Sequence, residues 1–203
     1  MLNLPSSYNF QKMTDLDKYI HTYFGINQND LTKVSSFFKP VSIKKGDYFL
    51  KKGRQSDQLA FVTSGILREF IDVNDHEITK WIATQGSFVL DLYSFVYRVP
   101  ARWNIQAVVD SELIVIDLED YNEMGSLIAG WPEMEKRFIT KCFAVLEERI
   151  VQHLSLTAEE RYMQLFNFNP ELFNQVPLQY LASMLGMTPE TLSRVRKKLS
   201  YSN

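Results

Sequence analysis

Apolar positions at Leu16, Tyr19, Ile20 and Tyr23 recur every three or four residues, which predicts a short helix over 13–24. A second helix over 28–38 has Asn27 or Asn29 as its cap and Pro40 as its stop. From 41 to 118 the texture changes to short β-rich runs at 41–43, 48–50, 59–62, 66–71, 77–83, 103–109 and 113–118. Gly46-Asp47, Lys52-Gly53, Ser64-Gly65, Asn74-Asp75 and Gln85-Gly86 punctuate them. Many short strands at close spacing argue for an antiparallel barrel or sandwich. From Asp120 onward the pattern is helical.

The longest helical segment runs from 132 to about 154. Phe138, Cys142 and Val145, with Leu146, Ile150 and Leu154 offset from them, form an apolar stripe that needs a partner. Two partners are open: the chain's own β-domain, or the same helix of a second copy in a two-helix seam. Thr157-Ala158-Glu159-Glu160 is a capping box that starts a new helix, and Phe166-Asn167-Phe168-Asn169-Pro170 ends it. The last fifty residues therefore read as a separate small helical domain.

Within them, residues 178–195 have the spacing of two helices crossing at a tight turn. Ala182 is small where two backbones approach, and Gly186 supplies a left-handed turn. Leu181, Leu185, Met187, Leu192 and Val195 are apolar where a two-helix core needs them. Thr188 is an N-cap with Pro189 at the first helical position. On the second helix Leu192, Val195 and Leu199 point inward, whereas Glu190, Ser193, Arg194 and Lys197 share the outward face. Such a face suits a major groove, with Arg on guanine and Glu on cytosine, while Arg196 and Lys198 suit phosphates. From Thr188 to the end four basic residues stand against one acid, a local +3 in a chain whose net charge is −2.

That whole-chain charge makes no electrostatic case for nucleic acid by itself. At about 150 residues per domain, the 203 residues make roughly 1.4 domains. A single cysteine excludes an intramolecular disulfide and a cysteine-based zinc or iron–sulfur site, and fits a reducing compartment. No apolar run nears the ~18 residues of a membrane span, and Met-Leu-Asn-Leu-Pro-Ser-Ser has no signal-peptide character, so a cytoplasmic protein is expected. Gly125 and Gly130 have P-loop spacing, but Trp131-Pro132 stands where lysine must follow. Cys142 and His153 share a helix face about 16 Å apart along its axis, too far for a nucleophile and its base. His21, His76 and His153 have no mutual ligand spacing, so neither a metal site nor an enzyme is expected.

With these motifs in place, residues 25–200 resemble the Crp/Fnr family, the cyclic-AMP receptor protein type of bacterial transcription regulator. The resemblance rests on residues 46–53 with their Gly46-Asp47 corner, on Phe61-Val62-Thr63-Ser64-Gly65-Ile66-Leu67-Arg68, and on Glu190-Thr191-Leu192-Ser193-Arg194. It implies an α+β fold: an N-terminal cyclic-nucleotide-binding-like antiparallel β-roll with helices over 1–130, a dimerisation helix over 131–155, and a winged helix-turn-helix domain over 156–203. It also implies a homodimer on a near-palindromic double-stranded DNA site, with RNA polymerase as a further partner. Glu190, Ser193, Arg194, Lys197, Arg196, Lys198 and Thr188 would touch DNA.

Two departures qualify the resemblance. The family's cassette holds a ribose hydroxyl with Gly-Glu and a cyclic phosphate with Arg-Ser/Thr-Ala; these align with Leu90-Asp91 and Ala101-Arg102-Trp103. Ala101 cannot neutralise a phosphate, and strand alternation sends Arg102 to the opposite face. A bulge near Pro100 would be needed to bring Arg102 or Arg98 back. Cyclic AMP is therefore not expected to bind in the usual way, no cofactor is expected, and another small effector near Asp91, Leu90, Arg98, Arg102 and Trp103 stays open. The stretch Ser200-Tyr201-Ser202-Asn203 is also too short for a full wing. An alternative of another class is a small-ligand or cyclic-nucleotide sensing module whose DNA binding is weak or vestigial.

Overall fold

The computed structural model describes residues 14–74 and 76–200. Helix α1 spans Asp15–Phe24, and Thr14 caps it in a reciprocal box with Asp17. Helix α2 covers Gln28–Ser35; the Asn27 side chain accepts from the Asp30 amide at its start. Pro40 does not end that helix. It lies in strand β1 (Lys39–Ile43), paired with Ile114, at the edge of its sheet, where a residue without an N–H is tolerated. Met13 and Asp75, each part of a predicted element, lie outside the described residues, as do 201–203, where the short wing was expected.

The strands that follow are β2 (Tyr48–Leu50), β3 (Gln58–Ser64), β4 (Leu67–Val73), β5 (His76–Ala83), β6 (Phe88–Val89), β7 (Asn104–Ala107) and β8 (Ser111–Asp117). A short helix, α3 (Leu92–Tyr97), interrupts them. All pairings are antiparallel, in two four-stranded sheets ordered β1-β8-β3-β6 and β2-β7-β4-β5. Side chains alternate along a strand, so β3 feeds two cores. Ala60 and Val62 face the interior of the roll with Leu67, Ile105, Leu113 and Val115. Leu59 and Phe61 face outward into a helix-covered cluster with Ile20, Phe24 and Phe138. At the β3–β4 turn Gly65 has φ +92° and an added Cβ would meet the Ser111 backbone at 2.6 Å, so no side chain fits there.

The helical half begins with α4 (Leu118–Leu127) and α5 (Trp131–Ser155). After these come α6 (Ala158–Phe168), α7 (Leu172–Gln175), α8 (Leu178–Met184) and α9 (Pro189–Ser200). The Thr157–Glu160 capping box opens α6 as its spacing requires. The apolar residues of α5 divide between two faces. Phe138 is buried, its ring 4.6 Å from that of Phe24, and Cys142 packs on the same cluster. Leu146, Ile150 and Leu154 stay exposed, joined by Ile139 and Phe143. The chain's own core thus takes Phe138 and Cys142, and an exposed apolar stripe runs along the rest of the helix.

The C-terminal helices pack against the roll. Their core of Leu181, Ala182, Leu185, Leu192 and Val195 continues into Ile66, Ile82 and Val108 of the roll. Ser183 accepts from the Thr79 amide of β5 at 2.9 Å, and Arg149 of α5 donates to the carbonyls of Lys80 and Met184.

Candidate functional site

Helices α8 and α9 meet at Gly186, whose φ of +65° is the left-handed conformation expected of it. Leu181, Ala182, Leu192 and Val195 are buried between them, and Met187 is half-buried. The Thr188 hydroxyl accepts from the Thr191 amide at 3.2 Å, which caps the start of α9. Glu190, Ser193, Arg194, Arg196, Lys197 and Lys198 are all exposed, as is Thr188. α9 therefore presents the polar face that its spacing predicts, while α8 is the helix docked on the roll.

The side chains of this face are already oriented. Arg194 donates to the Thr191 hydroxyl at 3.2 Å. The Glu190 carboxyl is held below the usual glutamate range by its own backbone amide, then by the Thr188 hydroxyl and by Arg194 one turn on. Arg196 lies over the Phe173 ring, and Lys198 pairs with Glu159 at 2.6 Å. Thr191, absent from the sequence-derived set, is thus the residue that steadies Arg194; its N3 position after Thr188 is the signal that would have found it.

In the roll, Asp91 is 1% exposed and caps α3. Its carboxylate accepts from the amides of Ser94 at 3.2 Å and Arg102 at 2.7 Å. Ala101 is 3% exposed within the interior cluster, so the position aligned with the phosphate-binding arginine is a packing residue. The expected direction of Arg102 is corrected by the structure. Strand β7 starts only at Asn104, so strand alternation does not govern residue 102, and its guanidinium turns back to 3.8 Å from Asp91 Oδ1. It remains 55% exposed and lies over the Tyr93 ring, at the rim rather than inside.

The other expected pocket residues separate. Leu90 is buried in the helix-covered cluster, away from the roll interior. Arg98 is exposed at φ 57° and bonded to Gln55, and Trp103 is half-buried under Lys80. Asp91, Arg102 and Trp103 share one rim; Leu90 and Arg98 do not join it. A cyclic phosphate would find no buried cation at its aligned position, and a ribose hydroxyl would find the Asp91 oxygens already accepting backbone amides.

Elsewhere, burial pushes the Cys142 thiol up to about 11, which leaves it protonated at neutral pH. His153 meets the carbonyls of Arg149 and Met184, far from the core contacts of Cys142. Among the described residues no group of three His, Cys, Asp or Glu could hold a metal, and no helix is long and apolar enough to cross a membrane.

Residues 40–126 match the family model of the cyclic nucleotide-binding domain. No curated protein matches the chain at a significant level. Solved structures do. The catabolite activator protein of Thermus thermophilus is 21% identical over 91% of this chain and 87% of its own, with a TM-score of 0.56. FixK2 of Bradyrhizobium japonicum is 15% identical over 81% and 85%, with a TM-score of 0.67. The c-di-GMP-responsive global regulator CLP of Xanthomonas campestris is 17% identical over 87% and 93%, with a TM-score of 0.65. The chain thus has the fold of catabolite-activator-like proteins, and its residues 40–126 match the cyclic nucleotide-binding domain.

Proposed function

We propose that the chain is a sequence-specific DNA-binding transcription regulator that acts as a homodimer. The observation that carries this reading is the outward face of α9, where Glu190, Ser193, Arg194 and Lys197 stand exposed above a closed helix-turn-helix core. Arg194 and Glu190 read base edges; Arg196, Lys197 and Lys198 bind phosphates. The exposed stripe of α5, with Phe143 at 59%, Ile150 at 59% and Leu154 at 84%, forms the two-fold seam that sets two such helices in successive major grooves. The chain works in the bacterial cytoplasm, without a cofactor, and engages RNA polymerase at its promoters.

Regulation does not go through cyclic AMP bound in the usual way. A buried phosphate without a charge partner carries a large desolvation penalty, and Ala101 offers no charge. The test is selection from a random-duplex library with purified chain and no added ligand. Enrichment of a near-palindrome with half-sites about one helical turn apart is expected. Equal recovery of all sequences would overturn the reading, and adding cyclic AMP is expected to leave the enriched site and its affinity unchanged.

A further inference from the structure

A cavity of about 570 Å³ opens where the roll, α5, α6 and the end of α8 meet. Its walls are mostly apolar: Trp81 and Ile82 of β5, Val145 of α5, Leu165 and Phe168 of α6, and Leu185 after α8. This size, and the position between structural units, are typical of small-molecule sites. None of Asp91, Arg102 and Trp103 lines it.

Two arginines line it, and neither has a carboxylate within ion-pair distance among the described residues. Arg149 donates to the carbonyls of Lys80 and Met184 and lies 5.1 Å from the Trp81 ring centre. Arg161 donates to the carbonyls of Leu185, at 2.8 Å, and Leu156, at 2.6 Å. Each uses two of a guanidinium's five donors and keeps the rest. Glu69, the acid nearest in effect to Arg149, is paired with Lys80. Among the described residues Glu148 is the one acid on the cavity wall, and Gln152 bonds to it. The wall therefore carries one excess positive charge.

We propose that this cavity binds an amphipathic monocarboxylate. Its hydrocarbon body lies against Trp81, Ile82 and Leu165, and its carboxylate takes the spare donors of Arg149 and Arg161. A planar carboxylate matches the guanidinium fork, and a single negative charge balances the single excess positive one. The occupant touches β5, α5, α6 and the end of α8, so its binding is felt by the orientation of α8. A helix turns about 100° per residue, which puts Ala144, Glu148 and Gln152 on the side of α5 roughly opposite Phe143, Leu146 and Ile150. The proposal does not depend on DNA binding.

The test uses the full chain, titrated by calorimetry and tryptophan fluorescence with decanoate and, in parallel, with decanol, both below their aggregation limits. Decanoate is expected to bind once per chain with a change in emission, and decanol at least about tenfold more weakly. Ala144→Phe, at an exposed helical position on the wall, puts a ring into the cavity and leaves both arginines in the sequence. It is expected to weaken decanoate at least about tenfold while leaving the far-ultraviolet dichroism unchanged. Equal affinity for decanol, many sites per chain, undiminished binding by Ala144→Phe, or no binding of decanoate would each overturn the proposal.

Discussion

The guanidinium carbon of Arg68 lies 3.6 Å from the ring centre of Tyr180 and 3.7 Å from that of Phe70. A charge on β4 is thus held between a ring of its own strand and a ring of the first helix of the helix-turn-helix. Arg68 is 1% exposed, its Nη1 pairs with Glu77 at 2.6 Å, and its Nε is buried without a partner. Removing Tyr180 leaves that charge with less compensation. In a double-mutant cycle of Arg68→Met and Tyr180→Leu, urea unfolding is expected to give a coupling energy of about 1–2 kcal/mol. A coupling within error of zero would mean that the stack does not hold the two halves together.

Arg194 is steadied by Thr191 and stands next to Glu190, and in the proposed function it reads one base. Arg194→Ala is expected to cost about 1–3 kcal/mol of affinity on the selected site and to relax preference at one base pair. Lys197→Ala should instead weaken all sequences alike and lower the salt slope by about one. A uniform loss on every sequence from Arg194→Ala would reassign it to phosphate.

The exposed stripe of α5 predicts the oligomeric state. Leu146→Glu and Ile150→Glu place a charge in the seam and leave the buried face at Phe138 untouched. Sedimentation equilibrium is expected to give a dimer for the parent chain and a monomer for either variant, with unchanged helix content. A variant that stays dimeric would move the interface off this stripe.

Acid stability depends in part on Asp17. Burial opposes its ionisation, but hydrogen bonds from the Ser35 hydroxyl and from the Thr14 hydroxyl and amide outweigh it and hold its carboxyl below the usual aspartate range. A folded pKa below the unfolded one contributes stability above the unfolded pKa, and that stability is lost as pH falls through the folded value. The urea midpoint should therefore fall as pH drops below about 4, the ordinary aspartate value, and Asp17→Asn should fall less on acidification while starting lower. Parallel curves for the two proteins would remove Asp17 from the account.

Gly65→Ala should be costly, because its φ of +92° and the Ser111 backbone both exclude a Cβ. The loss is expected to exceed the ~1–2 kcal/mol of the left-handed backbone alone, read as a shift of the thermal midpoint. Gly46, equally left-handed but with open space around it, should lose only that backbone share on the same substitution.

Sequence patterns determined the elements whose causes are local. The Thr157 capping box, the Gly186 turn, the polar face of α9 and seven of the strands each follow from hydrogen bonds or side-chain periods contained within a few residues. Other elements escaped, β6 and α3 among them. β6 is only two residues long, and α3 depends on the buried Asp91 cap and reads as an unpatterned apolar run. The tertiary structure alone decided which face of α5 is buried, that Arg102 turns back to Asp91, and that Arg68 is pinned by Tyr180. In each case the partner is distant along the chain. Periodicity establishes that a face is apolar or a side chain charged; what that face or charge meets is set by which elements the fold brings against it.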